Sequence, residues 1–273
     1  MNDAAGNGRP LLEVEDVVKR FGGIRAVNGA TMRIGEGRIT ALIGPNGAGK
    51  TTLFNVLTGF YKGDRGSVSF RGNEILGERP YEIARKGMVR TFQITKALAA
   101  MPVIDNMMLA APDQPGEQLR NVFFRPRAVK SREDQVRKQA LELLGIFNLR
   151  DLADAYAGTL SGGQRKLLEL ARALMADPKL LLLDEPMAGI NPTLGRRLLD
   201  HMQNLRREMG VTIMFIEHDM EVVMNHSDRV VVMAEGRVIA EGEPHEVRKD
   251  KRVIDAYLGE VAGDPEAAED AAK

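Results

Sequence analysis

The chain has 273 residues, 38 Lys and Arg balanced by 38 Asp and Glu, and no cysteine. That length allows one large domain or two small ones around an ample core, and the balanced charge speaks against nucleic acid as a partner. The missing thiols exclude disulfides, thiolate catalysis and Cys-based zinc sites.

Residues 1–10 are small and polar and read as a flexible lead without the apolar centre of a signal peptide. No apolar run approaches the roughly eighteen residues needed to span a bilayer. The chain is therefore expected to be soluble and cytoplasmic, with any membrane role exerted through a partner. Strand-like segments follow at 11–18, 31–34, 38–43 and 66–71. The third of these, Arg38 to Ile43, runs into Gly44-Pro45-Asn46-Gly47-Ala48-Gly49-Lys50-Thr51. This run matches the phosphate-cradling pattern G-x-x-x-x-G-K-[ST], in the context the pattern requires. A buried strand precedes it, a helix over 50–58 follows, and Gly59 is placed to end that helix. Glycines let the backbone wrap a phosphate closely, and a helix start adds bare N–H groups and a positive dipole end. Lys50 is placed to reach the β- and γ-phosphates, and the Thr51 hydroxyl to ligate Mg²⁺. The chain reads as a nucleotide-binding protein.

The block from about 93 to 165 lacks strand signals and is expected to form a helical lobe. Within it, Val136, Ala140, Leu143, Leu144 and Phe147 fall on one face of a helix over 133–147. Leu160-Ser161-Gly162-Gly163-Gln164 opens another helix, with apolar positions at Leu167, Leu168, Ala171 and Leu174. Ser161 and Gln164 have capping-box spacing, and the two glycines leave the helix start bare enough for an anion. Leu180-Leu181-Leu182-Leu183-Asp184-Glu185 is an apolar strand ending in two carboxylates. Beside a phosphate loop, Asp184 supplies a Mg²⁺-side acid and Glu185 is placed to polarise an attacking water. A helix over 193–209 follows, with Asn191 as N-cap, Pro192 at its first position and Gly210 as its stop. A strand over 211–216, a helix over 219–226 and a hairpin through Glu235-Gly236 complete the alternation. Strands alternating with helices predict a mainly parallel sheet covered on both faces.

With Leu-Ser-Gly-Gly-Gln following the phosphate loop, the sequence resembles the ATP-binding-cassette (ABC) ATPases over about residues 10–260. The resemblance implies an α/β fold: a P-loop ATPase core with a mainly parallel sheet, an antiparallel β subdomain and a helical lobe. The cassette domain would occupy 11–260, and 261–273 an acidic, disordered tail. The implied ligands are ATP and Mg²⁺. Nucleotide contacts fall to Gly44, Pro45, Asn46, Gly47, Ala48, Gly49, Lys50, Thr51 and Thr52, with Phe21 stacking on adenine. Ser161, Gly162, Gly163 and Gln164 would face the nucleotide held by a second subunit. Gln93, in Arg90-Thr91-Phe92-Gln93, matches the glutamine that senses Mg²⁺ and water, and with Thr51 and Asp184 makes up the metal side. Glu185 and His218 match the catalytic carboxylate and the switch histidine that contacts the γ-phosphate. His201, His226 and His245 have no such match and read as structural or solvated. Phe92, Ile94, Leu98 and Met101 set apolar side chains beside the sensor and are expected to dock on a permease.

After Pro186, many family members carry Ser-Ala-Leu-Asp, whose acid couples two ATP sites. Here Met187-Ala188-Gly189-Ile190-Asn191-Pro192 stands instead. This form is similar to the ATPases of branched-chain (hydrophobic) amino-acid importers, as are Thr58-Gly59-Phe60-Tyr61, Glu217-His218-Asp219-Met220 and Ala256-Tyr257-Leu258-Gly259-Glu260. The similarity is greatest to the first of that importer's two ATPase subunits. It implies an ATP hydrolase at the cytoplasmic face of the inner membrane. Its partners would be two permease subunits, a second cassette and, indirectly, a periplasmic binding protein, with no nucleic acid. The alternatives are a cassette for urea uptake or lipopolysaccharide export, or a non-transport ABC ATPase.

Overall fold

The computed structural model describes residues 10–91, 99–117 and 119–263. The chain opens with β1 (Leu12–Phe21), β2 (Ile24–Ile34) and β3 (Ile39–Ile43), followed by α1 (Lys50–Leu57). Next come β4 (Arg65–Phe70), β5 (Asn73–Glu74), α2 (Pro80–Arg85) and β6 (Met88–Arg90). Helices α3 (Val103–Met108), α4 (Leu119–Phe124), α5 (Pro126–Ile146) and α6 (Gly162–Leu174) fill the stretch before β7 (Leu180–Asp184). The remainder alternates: α7 (Pro192–Met209), β8 (Thr212–Ile216), α8 (Met220–His226), then the pair β9 (Arg229–Ala234) and β10 (Arg237–Gly242). Helices α9 (Pro244–Val247) and α10 (Lys251–Gly263) close the described chain.

The strands form two sheets. One is antiparallel, in the order β2-β1-β4-β5. The other has the order β10-β9-β3-β8-β7-β6 and is parallel except for the β9–β10 hairpin. The turn residues of that hairpin, Glu235 and Gly236, have φ of 49° and 77°, the left-handed values that a two-residue hairpin needs.

Side chains alternate across the six-stranded sheet, and each face has its own core. Leu180, Leu182, Met214, Ile216 and Leu42 point to the face covered by α1 and the antiparallel sheet. Leu181, Leu183, Ile213, Phe215 and Ile43 point to the face covered by α5, α6 and α7. The period of two along a strand thus explains why β3, β7 and β8 are nearly continuous apolar runs. Replacing Leu181, fully buried, with Ala is expected to cost about 2–5 kcal/mol, read as a lowered urea midpoint. An unchanged midpoint would mean that this face is not packed.

Local signals explain the helix boundaries. Asn191 Oδ1 accepts the Leu194 N–H at 2.9 Å, and Gly210 ends α7 at φ 65°. Asp219 Oδ1 accepts from Glu221 N (2.9 Å) and Val222 N (3.2 Å) at the start of α8. The predicted face of α5 is buried, with Val136, Ala140, Leu143 and Leu144 inside. β2 differs from expectation, beginning at Ile24 rather than near 31. Register shifts interrupt its pairing with β1 at three places, and each shift breaks the alternation by which a strand is recognised.

Candidate functional site

Sheet order brings the predicted motifs to one edge. β3, β8, β7 and β6 are parallel neighbours, with Leu42 beside Ile216, Ile216 beside Asp184, and Leu182 beside Arg90. Their carboxyl ends therefore release the 44–49 loop, His218, the Asp184-Glu185 pair and Thr91 side by side. Ligands of open α/β sheets bind outside this edge.

The 44–49 loop is shaped as much by the protein as by any ligand. A Cβ on Gly44 would lie 2.0 Å from the Met233 carbonyl oxygen, and one on Gly49 would lie 2.1 Å from that of Ala26. Both glycines thus let the loop press against β9 and β2, a requirement invisible in the sequence pattern. Ala48 is buried, while Asn46 and Gly47 are exposed. α1 begins after Gly49 with no side-chain cap and no acid in its first turn. Its N–H groups and positive dipole end suit an anion. Lys50 Nζ donates to the carbonyl oxygens of Gly44 (2.6 Å) and Pro45 (2.8 Å), so the ammonium lies across the loop. Thr51 is exposed and Thr52 half-buried.

At the end of β7, Asp184 Oδ2 accepts from Arg90 Nη2 at 2.6 Å, and Arg90 Nη1 donates to Asn55 Oδ1 at 2.6 Å. The Arg90 and Asp184 side chains are 10% and 7% exposed. One guanidinium thus joins β6, β7 and α1, a contact no local motif announced. Glu185 sits at φ 47°, and its N–H donates to the Ile216 carbonyl at 3.1 Å. From α6, Lys166 Nζ donates to the carbonyls of Pro186 (3.1 Å) and Ala188 (2.6 Å). A cleft of about 310 Å³ lies between α6 and this turn, lined by Thr91, Lys166, Glu169, Asp184 and Glu185 among others.

His218 is exposed, its Nδ1 3.8 Å from Oε2 of the buried Glu217. Phe21 is 44% exposed rather than part of the core. Its ring meets Tyr61 edge-on at 5.2 Å and has Lys19 Nζ 5.3 Å from its centre. An exposed ring of this kind is suited to stacking on a flat ligand.

Ser161 and Gln164 form the expected capping box: Ser161 Oγ accepts from Gln164 N at 3.2 Å, and Gln164 Oε1 from Ser161 N at 2.9 Å. Gly162 has open space about it, whereas a Cβ on Gly163 would meet Leu194 Cδ2 at 1.8 Å. The second glycine thus has a packing reason on α7 besides any ligand. This turn belongs to the helical stretch, not to the strand edge. Gln93, with Phe92, Ile94 and Leu98, lies outside the described residues, and Met101 is half-buried. His201 packs its ring 4.8 Å from that of Phe147, and burial lowers its pKa. That fits a structural histidine.

Among the described residues, no three His, Asp or Glu side chains gather closely enough to hold a metal alone. A divalent cation would take most of its oxygens from a polyphosphate and water, as Mg²⁺ commonly does. The exposed Thr51 hydroxyl and the Asp184 carboxylate are hard oxygen donors that fit such an ion.

Residues 27–188 match the family model described as "ABC transporter", and 237–263 match "Branched-chain amino acid ATP-binding cassette transporter". The chain is 42% identical over 253 residues to the Pseudomonas aeruginosa high-affinity branched-chain amino acid transport ATP-binding protein BraF. That alignment covers 93% of this chain and 99% of the relative. A probable branched-chain amino acid transport ATP-binding protein, LivG of Archaeoglobus fulgidus, is 42% identical over 249 residues, covering 91% and 95%. A crystal structure of the ADP conformation of an ATP-binding cassette from an ABC transporter superposes with a TM-score of 0.80 at 39% identity. It covers 92% of this chain and all of that one.

Proposed function

Because the chain belongs to the ABC transporter family, we propose that it is the ATP-binding, ATP-hydrolysing subunit of an importer for branched-chain, hydrophobic amino acids. The observation that carries the catalytic half is the shared strand edge of the uncapped α1 start, Lys50, Asp184 and Glu185. The cargo rests on the relatives and on the match of 237–263. In this reading 11–260 form one cassette domain. Lys50 and the N–H groups of 44–52 bind the β- and γ-phosphates of ATP, and Phe21 stacks on adenine. Mg²⁺, held by Thr51 and Asp184, neutralises phosphate charge when bound. Glu185 orients the attacking water and accepts its proton, while His218 contacts the γ-phosphate. Gln93 keeps the sensing role that its place in the sequence suggests.

Among the described residues no helix is long and apolar enough to cross a membrane. Work at a membrane then runs through permease subunits, which we place against the helical stretch. The second anion-suited helix start, at Ser161, supports a dimer in which Ser161 and Gly163 face a nucleotide held by the other subunit's Lys50. Mixing inactive Lys50→Ala and Ser161→Glu chains is expected to restore turnover, because each mixed dimer keeps one intact composite site. No recovery in mixed dimers shown to have formed would mean that one chain supplies the whole site. The cargo is tested in vesicles holding the permease, a second cassette and a binding protein. ATP-driven leucine uptake is expected, and urea uptake without leucine uptake would displace the reading.

A further inference from the structure

Glu217 is a buried carboxylate that the scheme above leaves unused. Its side chain is 1% exposed. One oxygen, Oε1, accepts the Met187 N–H at 2.9 Å, and the other, Oε2, accepts the His218 N–H at 3.3 Å. Met187 lies two residues after Glu185, and His218 heads the loop after β8. Resting on the roles just assigned to Glu185 and His218, we propose that Glu217 is a positioning residue: its carboxylate ties the turn carrying Glu185 to the loop carrying His218, so that both groups are placed together.

The turn at Glu185 needs such support. A non-glycine residue at φ 47° is strained, and it persists where its surroundings over-determine it. Three contacts do so here. Glu185 N–H is held by Ile216, the Pro186 and Ala188 carbonyls by Lys166, and the Met187 N–H by Glu217. Of the three, the Glu217 contact is the one whose side chain also holds the His218 N–H. A glutamine of the same size has one acceptor oxygen where the carboxylate has two, so the N–H that faced the other oxygen would meet a donor NH₂. Burial pushes the Glu217 carboxyl above the usual glutamate range, and the charge of Glu185 adds to that. The Met187 and His218 N–H donors and the His218 ring pull the other way without cancelling it. A carboxyl whose folded pKa is raised stabilises the fold in its protonated state, below its ordinary pKa. That contribution fades as pH rises through the folded value. As pH rises the buried carboxyl therefore adds less to the fold, whatever it does for the site.

This opposition supplies the test. Glu217→Gln is compared with the parent and with Glu185→Gln, turnover being measured in the assembled transporter. ATP affinity and melting temperature are measured on the full chain at pH 7.5. Turnover of Glu217→Gln is expected to fall about 10–100-fold, the scale of a misplaced catalytic group. ATP affinity should stay within about twofold, and the melting temperature should equal or exceed the parent's. Glu217→Asp, which keeps the charge but cannot span both N–H groups, should lose turnover while keeping ATP affinity, and carries the test if the glutamine variant does not fold. Turnover within twofold of the parent overturns the proposal, as does a turnover loss matched by losses of affinity and melting temperature. If Glu185→Gln itself turns over normally, the underlying assignment fails instead.

Discussion

Glu185→Gln is expected to keep ATP affinity and lose turnover by about 10²–10⁴-fold, the usual contribution of a positioned general base. The substitution keeps the size of the side chain and removes its charge. The phosphates are held by Lys50, Thr51 and the α1 start, whose groups the substitution leaves in place, so binding has no reason to fall. The backbone holding the turn is also spared, because its partners, Ile216, Lys166 and Glu217, act on main-chain atoms. Binding energy that closes two subunits around ATP would then go undischarged, and the variant should accumulate as an ATP-bound, closed assembly with its permease. Phosphate release, nucleotide affinity and assembly size, each against the parent, check this. Turnover within a factor of two of the parent would mean that another group activates the water.

Lys50→Ala acts on the earlier step. One or two charge-assisted hydrogen bonds to phosphate, at about 1.5–3 kcal/mol each, correspond to a loss of roughly 10–10⁴-fold in ATP affinity. In the present structure the Lys50 ammonium is held by the carbonyls of Gly44 and Pro45, which keeps it over the loop. Alanine removes both the charge and that tether. Titration of parent and variant with ATP decides the matter, with circular dichroism to show that the variant is folded. Comparable affinities would remove the phosphate-loop assignment.

The strand–loop–helix at 38–58 was legible because its chemistry is local: a buried strand, glycines and a lysine within one short run. The same holds for the Ser161–Gln164 capping box and for Asn191 and Gly210, which act on neighbours a few residues away. What stayed hidden depends on distant partners. Arg90 meets Asp184 across 94 residues, and Glu217 meets Met187 across 30. Neither pairing has a periodic signature, and only the strand order creates it. The glycines have a second reason that the motif does not show. Gly44 and Gly49 suit a phosphate, and β9 and β2 also forbid a Cβ there. β2 is longer than its residue pattern suggests because its shifts of register against β1 hide its alternation.

Leu180 to Leu183 are four identical residues in a row. A one-residue slip of β7 exchanges the leucines on its two faces and leaves both cores equally greasy. Hydrophobicity, which usually chooses the alignment of a half-buried strand, is nearly mute here. The Arg90–Asp184 pair answers in its place, because a slipped strand would carry the carboxylate away from the guanidinium. A desolvated pair of charges adds little net stability, yet an unmatched one is severely penalised. The acid proposed for the metal side of the site is thus also the peg that tells its strand where to stop.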